Sequence, residues 1–243
     1  MWLGRWARAR HWLSQTPSGA GRVLDIGCAF GFGTNQVSGA RGVTWTVGVE
    51  ADPEYVLQAT RSYKRLPFVR GSAEELPFIS GSMDSVTLLD VLEHLANPER
   101  ALAEARRVLH TGGRLVLSVP HQGVLARLDS LNRYQALRRR LPWLEPLDPS
   151  EASAGGEHRH FTRRELETLL GRSFVVERSA ITGIGLTEVL HLVLLVLCRG
   201  LLRWERSYLA LRYLYFTAYL LEDALHVPRA GYHLTMQARA VEG

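Results

Sequence analysis

The features of this chain that could do chemistry are a carboxylate beside a glycine-rich turn, a second carboxylate at the end of an apolar run, and a scatter of histidines. The stretch Val23-Leu24-Asp25-Ile26-Gly27-Cys28-Ala29-Phe30-Gly31-Phe32-Gly33-Thr34 places Gly27, Gly31 and Gly33 between an apolar run and a helical pattern. Glycine in such a turn lets the backbone approach a ligand closely and adopt φ > 0. A dinucleotide fingerprint, Gly-x-Gly-x-x-Gly, would need glycine at positions 29 and 32, where this chain has Ala29 and Phe32. Asp25 would oppose a pyrophosphate, whereas a ligand bearing an ammonium and a sulfonium gains from a nearby carboxylate. The residues therefore favour S-adenosylmethionine over NAD. Glu50 ends the next apolar run, where a carboxylate can accept hydrogen bonds from both ribose hydroxyls.

Methyl transfer from such a ligand needs an aligned nucleophile and, for a hydroxyl, a group to remove its proton. Histidine titrates in the right range. His94, His121, His158 and His160 all fall in segments after strand ends or in a lid-like insert; His94 and His121 are the candidate bases, with His158 and His160 on the substrate side. If Asp90-Val91-Leu92-Glu93-His94 begins a helix, Asp90, Glu93 and His94 share one face. Three ligands on one short helix seldom complete a metal site, and none is expected here.

Positioning these groups falls to short apolar runs alternating with helical patterns, the signature of βαβ units. The runs Arg22–Ile26, Thr44–Glu50, Phe68–Val69, Met83–Leu89 and Arg114–Val119 read as five parallel strands, and Phe174–Ser179 and Tyr232–Val241 as two more. The expected fold is α/β, a doubly wound, mostly parallel seven-stranded sheet. Asn97 and Pro98 start a helix that Gly112-Gly113 is expected to end, and Thr162-Arg163-Arg164-Glu165 forms a capping box.

The chain resembles the class I methyltransferases, in particular the branch that includes quinone-biosynthesis and other small-molecule O-methyltransferases. The resemblance rests on VLDIGCAFGFGT, VGVEADPEYV, RGSAEELPF and LLDVLEHLANPERALAEARRVLHTGGRLVLSVP, close over Val23–Val119 and looser over His158–Ser179. It implies that Asp25, Gly27, Ala29 and Gly31 surround the methionine part of the cofactor, with Asp90 beside them. Glu50 would hold the ribose, and Ala51, Ser72, Ala73 and Glu74 would lie around the adenine. Ala29 stands where the family has its middle glycine, costing little if φ is negative. Ser72 replaces the usual aspartate and accepts a hydrogen bond from the adenine amine less strongly. Relatives acting on nucleic-acid bases carry an Asn or Asp followed by Pro-Pro and an aromatic after the fourth strand; Asp90-Val91-Leu92-Glu93 does not, so a small-molecule or lipid-linked acceptor is expected rather than nucleic acid.

At 243 residues, 46% hydrophobic and 22% charged, the chain suits a single folded domain over 1–243, with a helical N-terminal cap over 1–20 and a lid or connecting insert over 121–160. Two distant cysteines and an N-terminus without an apolar core suggest a reducing, cytoplasmic setting. The net charge of +5 suits nucleic acid, an anionic membrane or an acidic substrate, and decides nothing alone. More telling is an extra apolar insertion over 181–231, far longer than an ordinary loop. Two helices joined near Arg199-Gly200 are expected to present Val189, Leu192, Val193, Val196 and Leu197, flanked by Arg199, Arg203, Arg206 and Arg212. Three roles stay open: pairing two copies through 184–221, lying peripherally on the inner membrane face, or walling an apolar acceptor pocket.

Overall fold

The computed structural model describes residues 4–145, 158–202 and 231–242, with a few positions between 211 and 227. Its strands are β1 (Gly21–Ile26), β2 (Val43–Glu50), β3 (Phe68–Arg70), β4 (Met83–Leu89), β5 (Leu109–Pro120), β6 (Phe174–Thr182) and β7 (His233–Ala240), forming one sheet in the order β3-β2-β1-β4-β5-β7-β6. The first five pair in parallel, and β7 runs antiparallel between β5 and β6. The expected doubly wound, mostly parallel sheet is thus observed. The direction of strand addition reverses between β1 and β4, and α/β folds bind ligands beyond the carboxyl ends of strands at such a point.

Alternation along the strands feeds both faces. Val23 and Val116 pack with Ala9 and Leu13 of α1 (Gly4–Ser14) and Val37 of α2 (Phe32–Ser38). Leu24, Ile26, Leu115 and Leu117 pack on the opposite face with Ala101, Leu102, Ala105 and Val108 of α4 (Pro98–Val108) and Leu166 and Leu170 of α6 (Arg163–Leu170). Burying each of these valines, leucines and isoleucines stabilises the fold by about 1.5–3 kcal/mol, which fixes the register that aims the strand ends.

The helix starts follow the capping chemistry of the sequence. Asp52 accepts the Glu54 amide at the start of α3 (Pro53–Ser62), Asn97 accepts that of Arg100, and Thr162 and Glu165 form the full capping box. The helix end expected at Gly112-Gly113 is corrected: α4 stops at Val108, the chain enters β5 at Leu109, and both glycines lie inside that strand. The expected helix at Asp90 is corrected too. Asp90 takes φ 56 and only Leu92–His94 form a single 3-10 turn, so the two acids and the histidine do not line one helical face. Among the described residues, no three His, Cys, Asp or Glu side chains are placed to hold a metal ion.

Beyond β5, α5 (Ser130–Arg140) and the segment after it pack against α7 (Leu186–Leu194) and its continuation through Tyr134, Leu144, Leu195 and Cys198. Glu222 anchors the start of α7 by accepting the amides of Ile184, Leu186 and Thr187 at 2.7–3.0 Å, a favourable place for a carboxylate. Glu188 of α7 in turn accepts the amide and hydroxyl of Ser130 at the start of α5. The break expected at Arg199-Gly200 is absent, because α7 runs on into a π-helical segment, Leu195–Leu201. Leu192 and Val196, expected on the outer face, turn inward to the α5–α7 core, while Val189, Leu190, Val193 and Leu197 are exposed. Arg203, Arg206 and Arg212 lie outside the described residues. No described helix is long and apolar enough to cross a membrane.

Candidate cofactor and acceptor site

Two adjoining cavities open at the carboxyl ends of β1, β2 and β4, sharing Gly27, Ala29 and Asp90 in their walls. The smaller, about 190 Å³, is lined by Arg5, Trp6, Asp25 and Cys28 among others. The larger, about 360 Å³, is lined by Glu50, Ala51, Ser72, Ala73, Val91 and His94 among others. Gly27 holds φ +69, and a Cβ there would stand 2.3 Å from Val91 Cγ2. Gly31 holds φ +86, with a Cβ position 2.8 Å from the Phe68 ring. Ala29 departs from expectation: its φ is +44, a left-handed conformation that costs an L-residue about 1–2 kcal/mol.

The carboxylates are held rather than free. Asp25 is buried and accepts the Thr34 and Thr87 hydroxyls at 2.7 and 2.6 Å; burial pushes its pKa up to about 6 against those two hydrogen bonds. Glu50 accepts the amides of Ala29, Ala51 and Asp52 at 2.7–3.0 Å, which locks the glycine-rich turn to the end of β2. Asp90 accepts the Ser118 hydroxyl at 2.7 Å and forms an ion pair with Arg5 of α1. Glu74 is not in either cavity wall. Its carboxylate accepts the Asn97 amide at 3.1 Å.

The histidines divide in the same way. His94 stands in the wall of the larger cavity, and burial, with the charge of His158, pushes its pKa down to about 4. His121 lines neither cavity; its Nδ1 lies 3.0 Å from the Gly231 carbonyl oxygen and its amide donates to Tyr232 O. His158 and His160 converge on Asp129, at 3.3 and 3.4 Å from Oδ2, and the His158 ring meets that of His94 edge-to-face at 4.6 Å.

Comparison with known proteins bears on this arrangement. A family model described as a methyltransferase domain matches residues 24–117. A protein of Mycolicibacterium smegmatis named a probable S-adenosylmethionine-dependent methyltransferase is 34% identical over 42% of this chain and 40% of its own length. The ubiquinone biosynthesis O-methyltransferase of Dechloromonas aromatica is 28% identical over 67% of this chain and 73% of its own. Residues 24–117 are thus similar to methyltransferase domains. The chain spans 30–40% of the length of the first curated relatives it matches. The crystal structure of YcgJ from Bacillus subtilis shares the fold, with a TM-score of 0.61 at 21% identity over 96% of this chain and 97% of that one.

The methyltransferase cofactor fits what these cavities offer. The smaller has one cation and two acids, Arg5 with Asp25 and Asp90, so both the carboxylate and the ammonium of an amino-acid zwitterion meet a group of opposite sign. The larger has Glu50 in its wall, and a Cβ at Gly27 would collide with Val91 beside it, whereas Gly31, expected beside the methionine part, lines neither cavity. Sequence reasoning missed Arg5 because the alternating Trp and Arg of the N-terminus carried no spacing signal. It missed Asp129 because an aspartate in a proline- and arginine-rich insert looks like an ordinary helix cap, which it also is.

Proposed function

We propose that the protein transfers a methyl group from S-adenosylmethionine to an oxygen of a small hydrophobic or lipid-linked acceptor. The observation that carries this reading is the pair of joined cavities, one acidic with a single arginine, the other ending on Glu50 and walled by a histidine. When bound, the cofactor supplies a methyl carbon already activated by its sulfonium. Asp25 and Asp90 would face the positive charges of the methionine part, Arg5 its carboxylate, and Glu50 the ribose hydroxyls. The protein's own contribution is alignment, exclusion of water, and a place for the acceptor's proton. A relative named for ubiquinone O-methylation supports an oxygen acceptor.

A lipid-linked acceptor is supported by the outer face of α7, where Leu186, Val189, Leu190, Val193 and Leu197 are 40–63% exposed. Exposed Arg127, Arg133, Arg138, Arg139, Arg140 and Trp143 belong to the adjoining α5 region. Aliphatics edged by arginines and an interfacial tryptophan suit an anionic bilayer surface, so we place the protein peripherally at the inner membrane face. The activity is tested by label transfer from methyl-labelled adenosylmethionine to a polyprenylated phenol in mixed micelles. Calorimetry tests the binding mode: Glu50→Ala should weaken adenosylhomocysteine by about 1.5–3 kcal/mol through loss of a charged acceptor. Undiminished affinity in that variant would take Glu50 off the ribose.

A further inference from the structure

Asp129 closes the first turn of α5, where its Oδ1 accepts the Asn132 amide at 2.7 Å. Its Oδ2 faces the other way, accepts the Tyr232 hydroxyl at 3.0 Å, and lies 3.3 Å from His158 Nδ1 and 3.4 Å from His160 Nε2. The carboxylate is 2% exposed. Burial alone would raise its pKa, yet the hydrogen bond and charge of His158, with the Asn132 amide, hold it below the ordinary value. His158 is fixed at its backbone as well: its amide donates to Asn132 Oδ1 at 2.7 Å, and Asn132 Nδ2 donates to its carbonyl at 3.0 Å.

An imidazole that gives its Nδ1 hydrogen to a carboxylate carries its lone pair on Nε2. His158 Nε2, like His160 Nε2, is buried and has no hydrogen-bond partner among the described residues; His158 lines neither cavity itself. Leaving such an atom unsatisfied costs about 1–3 kcal/mol, and an orphaned buried nitrogen calls for an explanation in function. The ring sits against His94, itself in the wall of the larger cavity.

We propose that His158 is the general base of methyl transfer, and that Asp129 is its positioning residue, holding the tautomer with a free Nε2. The proposal rests on the methyl-transfer reading above. The acceptor's O–H bond breaks and its proton passes to Nε2, while the oxygen's electron pair forms the new bond to the methyl carbon. The C–S bond breaks with its pair left on sulfur, giving the neutral thioether. Asp129 stabilises the imidazolium without taking the proton, the division of labour of a carboxylate–histidine pair. His94 is unsuited to that task because its protonation lies near 4, far below neutrality; it shapes the wall. His160 shares the carboxylate, but its ring packs towards Tyr232 at 6.0 Å rather than towards the cavity residue. The titratable groups that face His158 are Asp129, His94 and His160, with Glu188 from α7.

Long-range ¹H–¹⁵N NMR of the intact, labelled protein at neutral pH reads the tautomer directly. The expected spectrum has His158 protonated on Nδ1 with a bare Nε2, and Asp129→Asn mixes or inverts that state. A hydrogen on Nε2 in the wild type, or a His158 signal indifferent to Asp129→Asn, overturns the proposal. In the second arm the polyprenylated phenol in micelles is the acceptor. His158→Gln and Asp129→Asn should each lower kcat by ~10²–10⁴ while the KM for adenosylmethionine stays within about twofold. Variants that keep wild-type kcat refute the base assignment. A wild type that transfers no label sinks the methyl-transfer reading instead, and the tautomer measurement still decides the Asp129–His158 pair. Calorimetric binding of adenosylhomocysteine to each variant confirms that the fold is intact.

Discussion

A carboxylate that is buried before its ligand arrives is held in a costly state, and Asp25 shows how the chain manages this. Two threonine hydroxyls stand in for solvent, but they only partly offset burial, so the group protonates at about 6 instead of near 4. A protonated Asp25 offers no charge to an ammonium or sulfonium. Adenosylmethionine affinity should therefore fall as pH drops through about 6, and Asp25→Asn should lose ~1.5–3 kcal/mol at pH 7.5 with its pH dependence flattened. Calorimetry across pH 5–8 showing one constant affinity for the wild type would rule Asp25 out. Ala29 makes a second residue-scale case. At φ +44 the methyl group is strained, so Ala29→Gly relieves ~1–2 kcal/mol, of which ~0.5–1 returns as glycine's greater unfolded-state entropy. The expected outcome is a small rise in thermal stability with cofactor binding kept; a clear fall in melting temperature would show that the turn needs the alanine side chain.

At the scale of elements, α7 divides its two faces sharply. Glu188 and His191 reach inward to Ser130, while Val189, Leu190, Val193 and Leu197 face out. Vesicles containing phosphatidylglycerol should float the wild type, more weakly as salt rises, and Leu190→Glu with Val193→Glu should abolish flotation without weakening adenosylhomocysteine. A wild type that ignores vesicles and sediments as a dimer broken by the same pair would assign the face to a second copy. These faces also show what the sequence made legible. Apolar runs with Gly and Asp at their ends placed β1, β2 and β4 and the cofactor residues between them, because period-2 burial and strand-end chemistry are local. Helical periodicity could not decide which side of α7 faces out, since almost every position from Leu186 to Leu197 is apolar. The Asp129–His158 contact joins residues from two segments of the insert, and no local pattern encodes it. The turn at Asp90 defeated the helical reading because a single positive φ, invisible in residue type, redirects the chain there.

Over the whole molecule, the buried acids and histidines pull stability in opposite directions with pH. Burial raises Glu188 to about 7 and Glu93 well above its ordinary value, the latter also through the charge of Asp90. A carboxyl whose pKa is higher folded than unfolded binds more protons in the native state, so its contribution shrinks as pH rises from the unfolded to the folded value. His94 and His160 are lowered by burial, so they bind fewer protons when folded, and their contribution grows with pH. That growth ends near the ordinary histidine pKa, about 6.5, above which both states are neutral. Between pH 6.5 and 8 the lowered histidines no longer contribute while Glu188 still titrates, and their combined slope is downward. The melting temperature should therefore fall across that window, by an amount corresponding to roughly 1 kcal/mol. In Glu188→Gln, whose amide oxygen can still accept from Ser130, the fall should shrink, since the carboxyl that titrates there is gone. Melts of wild type and variant in matched buffers decide it: a wild type equally stable at both ends, or a variant with an undiminished slope, would mean that Glu188 is already ionised below pH 6.5 and that the α5–α7 junction holds a charged acid rather than a neutral one.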